Sequence, residues 1–118
     1  MEKLLVAAAF VSGLWLATQA EAQSFKCSAA AISAEFEICN NEDLIVSDER
    51  LAAKYRQTLR NVVGENASAT LKQSQFAWLK KRNQCKLDAA CLEDIYRDRL
   101  TELDAIEKRG YRLARVVQ

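Results

Sequence analysis

The side chains that could carry chemistry in this 118-residue chain are carboxylates and cysteines, because the sequence contains no histidine. Without an imidazole, proton transfer would fall to a pair of carboxylates, as in glycoside hydrolysis. Two pairs can be nominated, Glu35 with Glu42 and Asp48 with Glu49. Both are equally typical of a solvated acidic helix face, and the chain has no glycine-rich phosphate loop. We therefore predict that the protein is not an enzyme and uses no cofactor.

The four cysteines are Cys27, Cys39, Cys85 and Cys91. An even number of cysteines in a short exported chain is typical of disulfide bonds. Zinc is the alternative, but the chain has neither a histidine nor a Cys-x-x-Cys pair. Four cysteines allow three pairings. The sequence favours local bonds, Cys27 with Cys39 and Cys85 with Cys91, because each would then close one helix end or turn.

Two charged residues interrupt apolar stripes at helical spacing. Asp48 lies in the stripe of one predicted helix, and Arg82 lies with Trp78 in the stripe of another. A buried charge is costly unless it is paired. We therefore predict a buried or half-buried ion pair of Asp48 with Arg82, with Trp78 packed beside it. The alternative leaves Arg82 protruding to bind a partner's carboxylate. Tyr55 and Trp78 are interpreted as core residues rather than as a binding platform.

Apolar residues at steps of three and four predict an all-α fold, beginning with a short helix. The chain lacks proline and has few glycines, so helix breakers are scarce. We expect the short helix to start at the N-cap Ser33 and to end at Cys39 or Asn40. Its side with Ile32, Phe36 and Cys39 should be buried.

Three longer helices are expected to follow. The second begins near Asn41 and stops at Gly64, a natural C-terminal position. The third is capped by Ser68 and runs to about Cys85, and the fourth is capped by Asp88. Short connections then predict a small up-down bundle of these three helices plus the short N-terminal one, cross-linked by two disulfides.

The first 22 residues have the pattern of a secretory signal peptide. Lys3 precedes an apolar run from Leu4 to Leu16, and Ala20-Glu21-Ala22 is a small-x-small cleavage site. The apolar run is shorter than the about 20 residues that span a bilayer. Gln23, not a lipid-accepting cysteine, follows the site. We expect a soluble, periplasmic or secreted domain without a stable membrane anchor.

Charge is uneven along the expected mature domain, residues 23–118. Removal of the leader, which has two acidic residues and one basic residue, changes the formal net charge from +1 to +2. Residues 23–50 contain two basic and six acidic side chains, whereas residues 51–118 contain fourteen and eight. The basic tail, about 108–118, is a frayed helix end or a basic contact arm, and fraying is favoured. This modest tail on an exported protein argues against a nucleic-acid partner.

The residues around the cysteines resemble those of a known family. The segments that carry the resemblance are 24–27, 35–39, 48–55, 75–85 and 89–92. In their order and cysteine spacing they resemble the lysozyme-inhibitor LprI-like N-terminal domain, over about residues 25–103. The resemblance implies a small disulfide-bonded helical domain and a protein partner. The named member of the family is a bacterial envelope lipoprotein that inhibits lysozyme, and this chain differs from it by lacking the lipid-acceptor cysteine.

The resemblance implies inhibition of a lysozyme-type muramidase through protein binding. The alternative is a non-inhibitory accessory of envelope stress or assembly, or a module that binds another secreted protein. Two binding modes are open. The acidic segment from Glu35 to Glu49, with Glu35 and Glu42 as candidate contacts, could meet the basic outer surface of an animal lysozyme. Lys80, Lys81 and Lys86 could instead enter the enzyme's cleft and pair with its catalytic carboxylates.

Overall fold

A computed structural model describes the backbone of residues 24–117 and the side chains of residues 24–110. The predicted signal peptide lies outside the described residues. A 3-10 turn at Cys27–Ala29 leads to four helices, α1 (Ser33–Cys39), α2 (Glu42–Asn61), α3 (Glu65–Gln84) and α4 (Ala89–Val117). No strand occurs in the described part of the chain. The prediction of an all-α bundle of three longer helices and one short one is therefore confirmed.

Both disulfides join residues that are close in sequence. Cys27 bonds to Cys39, 12 residues further along the chain. Cys85 bonds to Cys91 across a separation of six residues. The local pairing is therefore confirmed. The first bond fastens the N-terminal segment to the end of α1, and the second fastens the end of α3 to the first turn of α4. Each bond contributes about 2–4 kcal/mol to the free energy of unfolding.

Two helices begin at the caps that the sequence predicts. The Oδ1 atom of Asn41 accepts hydrogen bonds from the backbone N–H groups of Asp43 and Leu44, at 3.1 and 3.3 Å. The Oδ1 atom of Asp88 accepts from the backbone N–H of Cys91 at 3.1 Å. These side chains satisfy amide groups that have no partner within the first turns of α2 and α4.

The predicted cap of α1 is wrong by one residue. Ser33 is the first helical residue, and Ile32 occupies the N-cap without a side-chain hydrogen bond. The cap interaction comes instead from inside the helix, because Glu35 Oε1 accepts from the backbone N–H of Ala31 at 3.0 Å. In a capping box the glutamate at the third helical position accepts from the N-cap residue itself, whereas Glu35 reaches Ala31, one residue before the cap.

The predicted boundary between α2 and α3 is also wrong. Helix α2 ends at Asn61, and α3 begins at Glu65, so Ser68 lies inside α3 and not at its cap. Gly64 is the residue directly before α3, with φ of +94°. This backbone conformation favours glycine, so Gly64 fixes the point at which the chain turns into α3.

The predicted buried side of α1 is wrong as well. Ile32 and Phe36 are 38% and 49% exposed, whereas Ala34 and Ile38 are buried. A two-turn helix offers two stripes at steps of three and four, and periodicity does not choose between them. The choice follows from packing, because α1 contacts both α2 and α3, and Ala34 and Ile38 belong to the resulting core.

The core lies mainly between α2 and α4, which pack against each other more extensively than any other pair of helices. Its buried apolar residues from these two helices are Leu44, Leu51, Ala52, Leu92, Tyr96 and Leu103. Helix α3 adds a narrow strip that contains Leu71 and Trp78. Gly110 lets α4 pass the end of α2 closely, because a Cβ atom there would lie 3.3 Å from the carbonyl oxygen of Asn61.

Helix α4 continues beyond Gly110 to Val117. The backbone of the basic tail is therefore helical in the described residues. The side chains from residue 111 onward lie outside them, so both interpretations of the tail stay predictions.

A buried glutamate joins α2 to α4 beside this close approach. Glu107 is 5% exposed, and its Oε2 atom lies 2.6 Å from Lys54 Nζ. Its Oε1 atom accepts hydrogen bonds from the side-chain amides of Gln57 and Asn61 at 2.9 and 2.8 Å. The hydrogen bond from Lys54 holds the pKa of Glu107 below its ordinary value of 4.5. The same bond raises the pKa of Lys54 above 10.5.

We expect this pair to make folding stability depend on pH at both ends of the scale. The contribution of Glu107 is present above pH 4.5 and is lost as the pH falls through its lowered pKa. The contribution of Lys54 is present below pH 10.5 and is lost as the pH rises through its raised pKa. Glu107→Gln should lower the free energy of unfolding at pH 7 by about 1–3 kcal/mol.

The measurement is urea unfolding of both proteins from pH 7 to pH 3. The difference between wild type and Glu107→Gln should begin to shrink below pH 4.5, where the carboxyl group of the unfolded chain takes up its proton, and should vanish below the lowered pKa of the folded state. Asp104→Asn is the control, because Asp104 also contacts Lys54, at 3.4 Å, but is half exposed. A difference that stays constant down to pH 3 would contradict the assignment.

Candidate protein-binding surface

A buried carboxylate lies at the disulfide-bonded end of the bundle. Asp48 in α2 is 1% exposed. Its Oδ1 atom accepts hydrogen bonds from the hydroxyl groups of Ser24 and Tyr96, at 2.6 and 2.7 Å. Its Oδ2 atom accepts from the backbone N–H of Ser24 at 3.0 Å. One side chain of α2 thus connects the N-terminal segment to α4.

Arg82 connects α3 to the same group of residues around Asp48. Its Nη1 atom donates to the Ser24 hydroxyl oxygen at 3.2 Å and lies 3.8 Å from Asp48 Oδ1. Its Nε and Nη2 atoms donate to Asn83 Oδ1 at 3.1 and 2.9 Å. Glu35 Oε2 lies 3.8 Å from Nη2, and the guanidinium carbon lies 5.3 Å from the centre of the Phe25 ring. The guanidinium therefore contacts the N-terminal segment, α1 and α2 at once.

Two aromatic side chains, Tyr96 and Trp78, lie between this polar network and the apolar core. Burial, together with the negative charge of Asp48, raises the pKa of Tyr96 well above its ordinary value. Tyr96 therefore stays protonated, and its hydroxyl group donates a hydrogen bond to Asp48. The Trp78 ring meets Tyr96 edge to face at 5.3 Å between centroids, and its indole N–H donates to the backbone carbonyl of Ile95 at 3.3 Å. Tyr55 is half-buried against the same core.

Three of the four carboxylates nominated for acid–base chemistry, Asp48, Glu35 and Glu42, have structural roles in this arrangement. Asp48 is buried, and protein donors occupy both of its oxygens. Glu35 is turned inward, with its side chain only 17% exposed beside Arg82. Glu42 is exposed in the first turn of α2, where a carboxylate suits the helix dipole. Asp48 and Glu35 thus lie beside Arg82 as partners in ion pairs, each at 3.8 Å.

The nominated lysines lie on the outer side of the same end of the molecule. Lys80 and Lys81 are exposed on α3, and Lys86 is exposed in the turn that the Cys85–Cys91 bond closes. Lys86 has a φ of 54°, the only left-handed non-glycine residue in the described part of the chain. The turn is held by backbone hydrogen bonds from Lys86 N–H to Asn83 O and from Asp88 N–H to Cys85 O, at 3.3 and 3.0 Å. Lys86 is therefore presented by a short, constrained segment.

Two buried charged residues were missed by the sequence analysis. Arg99 is 3% exposed and donates to Gln75 Oε1 and to Ser74 Oγ, and it pairs with Glu102 at 2.9 Å. Glu107 joins α4 to α2 through its hydrogen bonds with three α2 side chains. The sequence did contain a signal for their burial, because Arg99 and Glu107 continue the steps of three and four residues that separate the buried apolar residues of α4.

A separate groove of about 720 Å³ opens between α3 and α4. Its lining includes Val62, Leu71 and Ile106, with Arg99 and Arg109 among its charged residues. None of the residues nominated from the sequence lines it. Among the described residues, no group of histidine, cysteine or carboxylate side chains is arranged to hold a metal ion.

The model of the lysozyme inhibitor LprI family matches residues 26–103. The chain belongs to the LprI family. The matched region of this LprI domain contains both disulfides, Asp48, Arg82 and all three nominated lysines. No curated protein and no solved structure matches the chain. Within the described residues, the LprI domain has no helix that is long and apolar enough to cross a membrane.

We expect Arg82→Leu to destabilise the LprI domain by about 3–5 kcal/mol, because it leaves Asp48 buried without the guanidinium beside it. Arg97→Leu is the matched control, since the Arg97 side chain is 68% exposed and its ion pairs are at the surface. Urea unfolding monitored by circular dichroism compares the two variants. Equal midpoints for both variants would show that Arg82 has no structural role.

We expect Lys86→Gly to raise the free energy of unfolding by about 1 kcal/mol, because glycine adopts a positive φ without the steric cost of a Cβ atom. Leu87→Gly is the control in the same turn, since Leu87 does not have a positive φ. That change should be neutral or destabilising. Thermal unfolding of both variants checks the prediction, and a lower melting temperature for Lys86→Gly would contradict it.

Proposed function

We propose that this protein is an exported inhibitor of a lysozyme-type muramidase and acts by binding the enzyme. The observation that carries the proposal is the family match over residues 26–103. The two disulfides support an oxidising compartment, the periplasm or the cell exterior, because such bonds rarely persist in the cytosol. The signal peptide predicted from residues 1–22 agrees with that location.

The proposed inhibitory surface, called the basic loop below, consists of Lys80 and Lys81 near the C-terminal end of α3 and Lys86 in the turn that follows. Glycosidases of this kind cleave their substrate with a pair of carboxyl groups. Lysine ammonium groups form charge-assisted hydrogen bonds with carboxylates, so this loop suits the cleft of such an enzyme. The backbone that carries these lysines is already ordered, by α3 for Lys80 and Lys81 and by the Cys85–Cys91 bond for Lys86, so it loses little conformational entropy on binding.

The acidic binding mode has less support from the geometry. Glu35 is half-buried beside Arg82, so using it to bind a partner would disturb a contact with α3. Glu42 is exposed, but it lies in the first turn of α2, where the helix dipole already favours a carboxylate. The basic loop is therefore the preferred mode.

The test is a cell-wall lysis assay with c-type, g-type and i-type lysozymes and the oxidised, exported protein over a concentration series. We expect stoichiometric inhibition of at least one class. Replacing Lys80, Lys81 and Lys86 together by glutamate should weaken inhibition at least about 100-fold, because three charge pairs become repulsive. A protein that inhibits no class would instead be a binding module for another envelope protein.

A charge-matched control separates the basic loop from general electrostatic attraction. Arg60, Arg97 and Lys108 are exposed basic residues outside the loop. Replacing these three by glutamate changes the net charge by the same amount. We expect this control to lower mainly the association rate, and only modestly. Equal losses for the two triple variants would exclude the basic-loop mode.

A further inference from the structure

Helix α3 exposes a phenylalanine, Phe76, away from its buried residues. Phe76 is 69% exposed, more than any other large apolar side chain that is exposed in the described residues. A single exposed apolar side chain is common on protein surfaces and needs no explanation by itself. Phe76 differs because of the charges that surround it.

Lys72 and Lys80 lie four residues before and four residues after Phe76. Residues at this spacing are neighbours on one helix face, and both lysines are exposed. The chain has no acidic residue between Glu65 and Asp88. An aromatic ring is therefore placed between two cations, on a helix surface that has no carboxylate close in sequence. We call Lys72, Phe76 and Lys80 the α3 stripe.

The backbone beneath the stripe is held firmly. Gln75, directly before Phe76, is buried and accepts two hydrogen bonds from Arg99, at 3.1 and 3.0 Å. Trp78, two residues after Phe76, is buried and donates to the carbonyl of Ile95. An aromatic side chain on a fixed backbone loses little conformational entropy on binding, since it has only two rotatable bonds.

The positive charge of the stripe favours a partner with an acidic surface, and the exposed ring favours a partner with a recess for a flat apolar group. A cleft that binds glycan and carries a pair of carboxyl groups offers both features. Lys80 belongs to the basic loop as well as to the stripe, so the two surfaces are continuous. A cleft that receives Lys80 would therefore meet Phe76 one helical turn away.

We propose that Phe76, flanked by Lys72 and Lys80, is the anchor that enters a sugar-binding recess of the inhibited muramidase. This inference rests on the proposed function. The ring fills a place that a sugar ring occupies in the enzyme–substrate complex, and the lysines pair with carboxylates at the edges of the recess. Inhibition is then competitive with glycan.

The test measures the Kd for the inhibited lysozyme by calorimetry, with and without chitotriose as the glycan probe. Phe76→Ala should weaken binding about 10- to 100-fold, as expected for a central aromatic contact. Val46→Ala is the matched control, since Val46 is an exposed apolar residue, 51% exposed, on α2. Both variants should keep a melting temperature close to that of the wild type, because Phe76 and Val46 are each more than half exposed. Chitotriose should compete with the wild-type protein for the enzyme.

The outcomes separate this inference from the proposed function. Tight binding by wild type with an unchanged Kd for Phe76→Ala would overturn the anchor and leave inhibition standing. Binding that chitotriose does not weaken would overturn placement in the glycan cleft. If wild type binds no lysozyme of any class, the proposed function and the anchor both fail. A selective loss in Phe76→Ala, with competition by chitotriose, supports the inference.

Discussion

The arrangement of the helices depends on supplying hydrogen-bond donors to one buried carboxylate, that of Asp48. Removing the charge of Asp48 from water costs several kcal/mol unless donors replace the water. Those donors come from separate parts of the chain, Ser24 in the N-terminal segment and Tyr96 in α4, with Arg82 of α3 close by. The requirement therefore fixes how the N-terminal segment, α3 and α4 lie relative to α2. The Cys27–Cys39 bond keeps Ser24 near this position.

Polar contacts determine the position of α3 because its apolar strip is narrow. Its buried residues include Gln75 and Arg82 beside Leu71 and Trp78. Since this helix buries so little of its circumference, most of its surface stays in solvent, including its lysines and Phe76. The same helix is thus a structural element on one face and the proposed binding surface on the other.

Most local features were predictable from the sequence, apart from the caps expected at Ser33 and Ser68, whereas features that depend on helix rotation were not. The two disulfides and the caps Asn41 and Asp88 involve residues at most 12 positions apart, so spacing was sufficient. The buried side of α1 was predicted wrongly, because a seven-residue helix has two stripes at helical spacing. Arg99 was missed although it follows the buried Tyr96 by three residues and precedes the buried Leu103 by four. The reasoning that singled out Asp48 and Arg82 applies equally to it.

The sequence by itself determined the helical fold class and the family resemblance and favoured the observed cysteine pairing, because each depends on residue types at short separations along the chain. Only the tertiary structure decided which partner each buried charge receives. Arg82 donates its hydrogen bonds to Ser24 and Asn83, and its nearest approach to Asp48 is 3.8 Å. Helical periodicity places a charge on a face, but it does not specify the atoms that this face meets. Those atoms depend on how whole helices rotate and shift to fill one core.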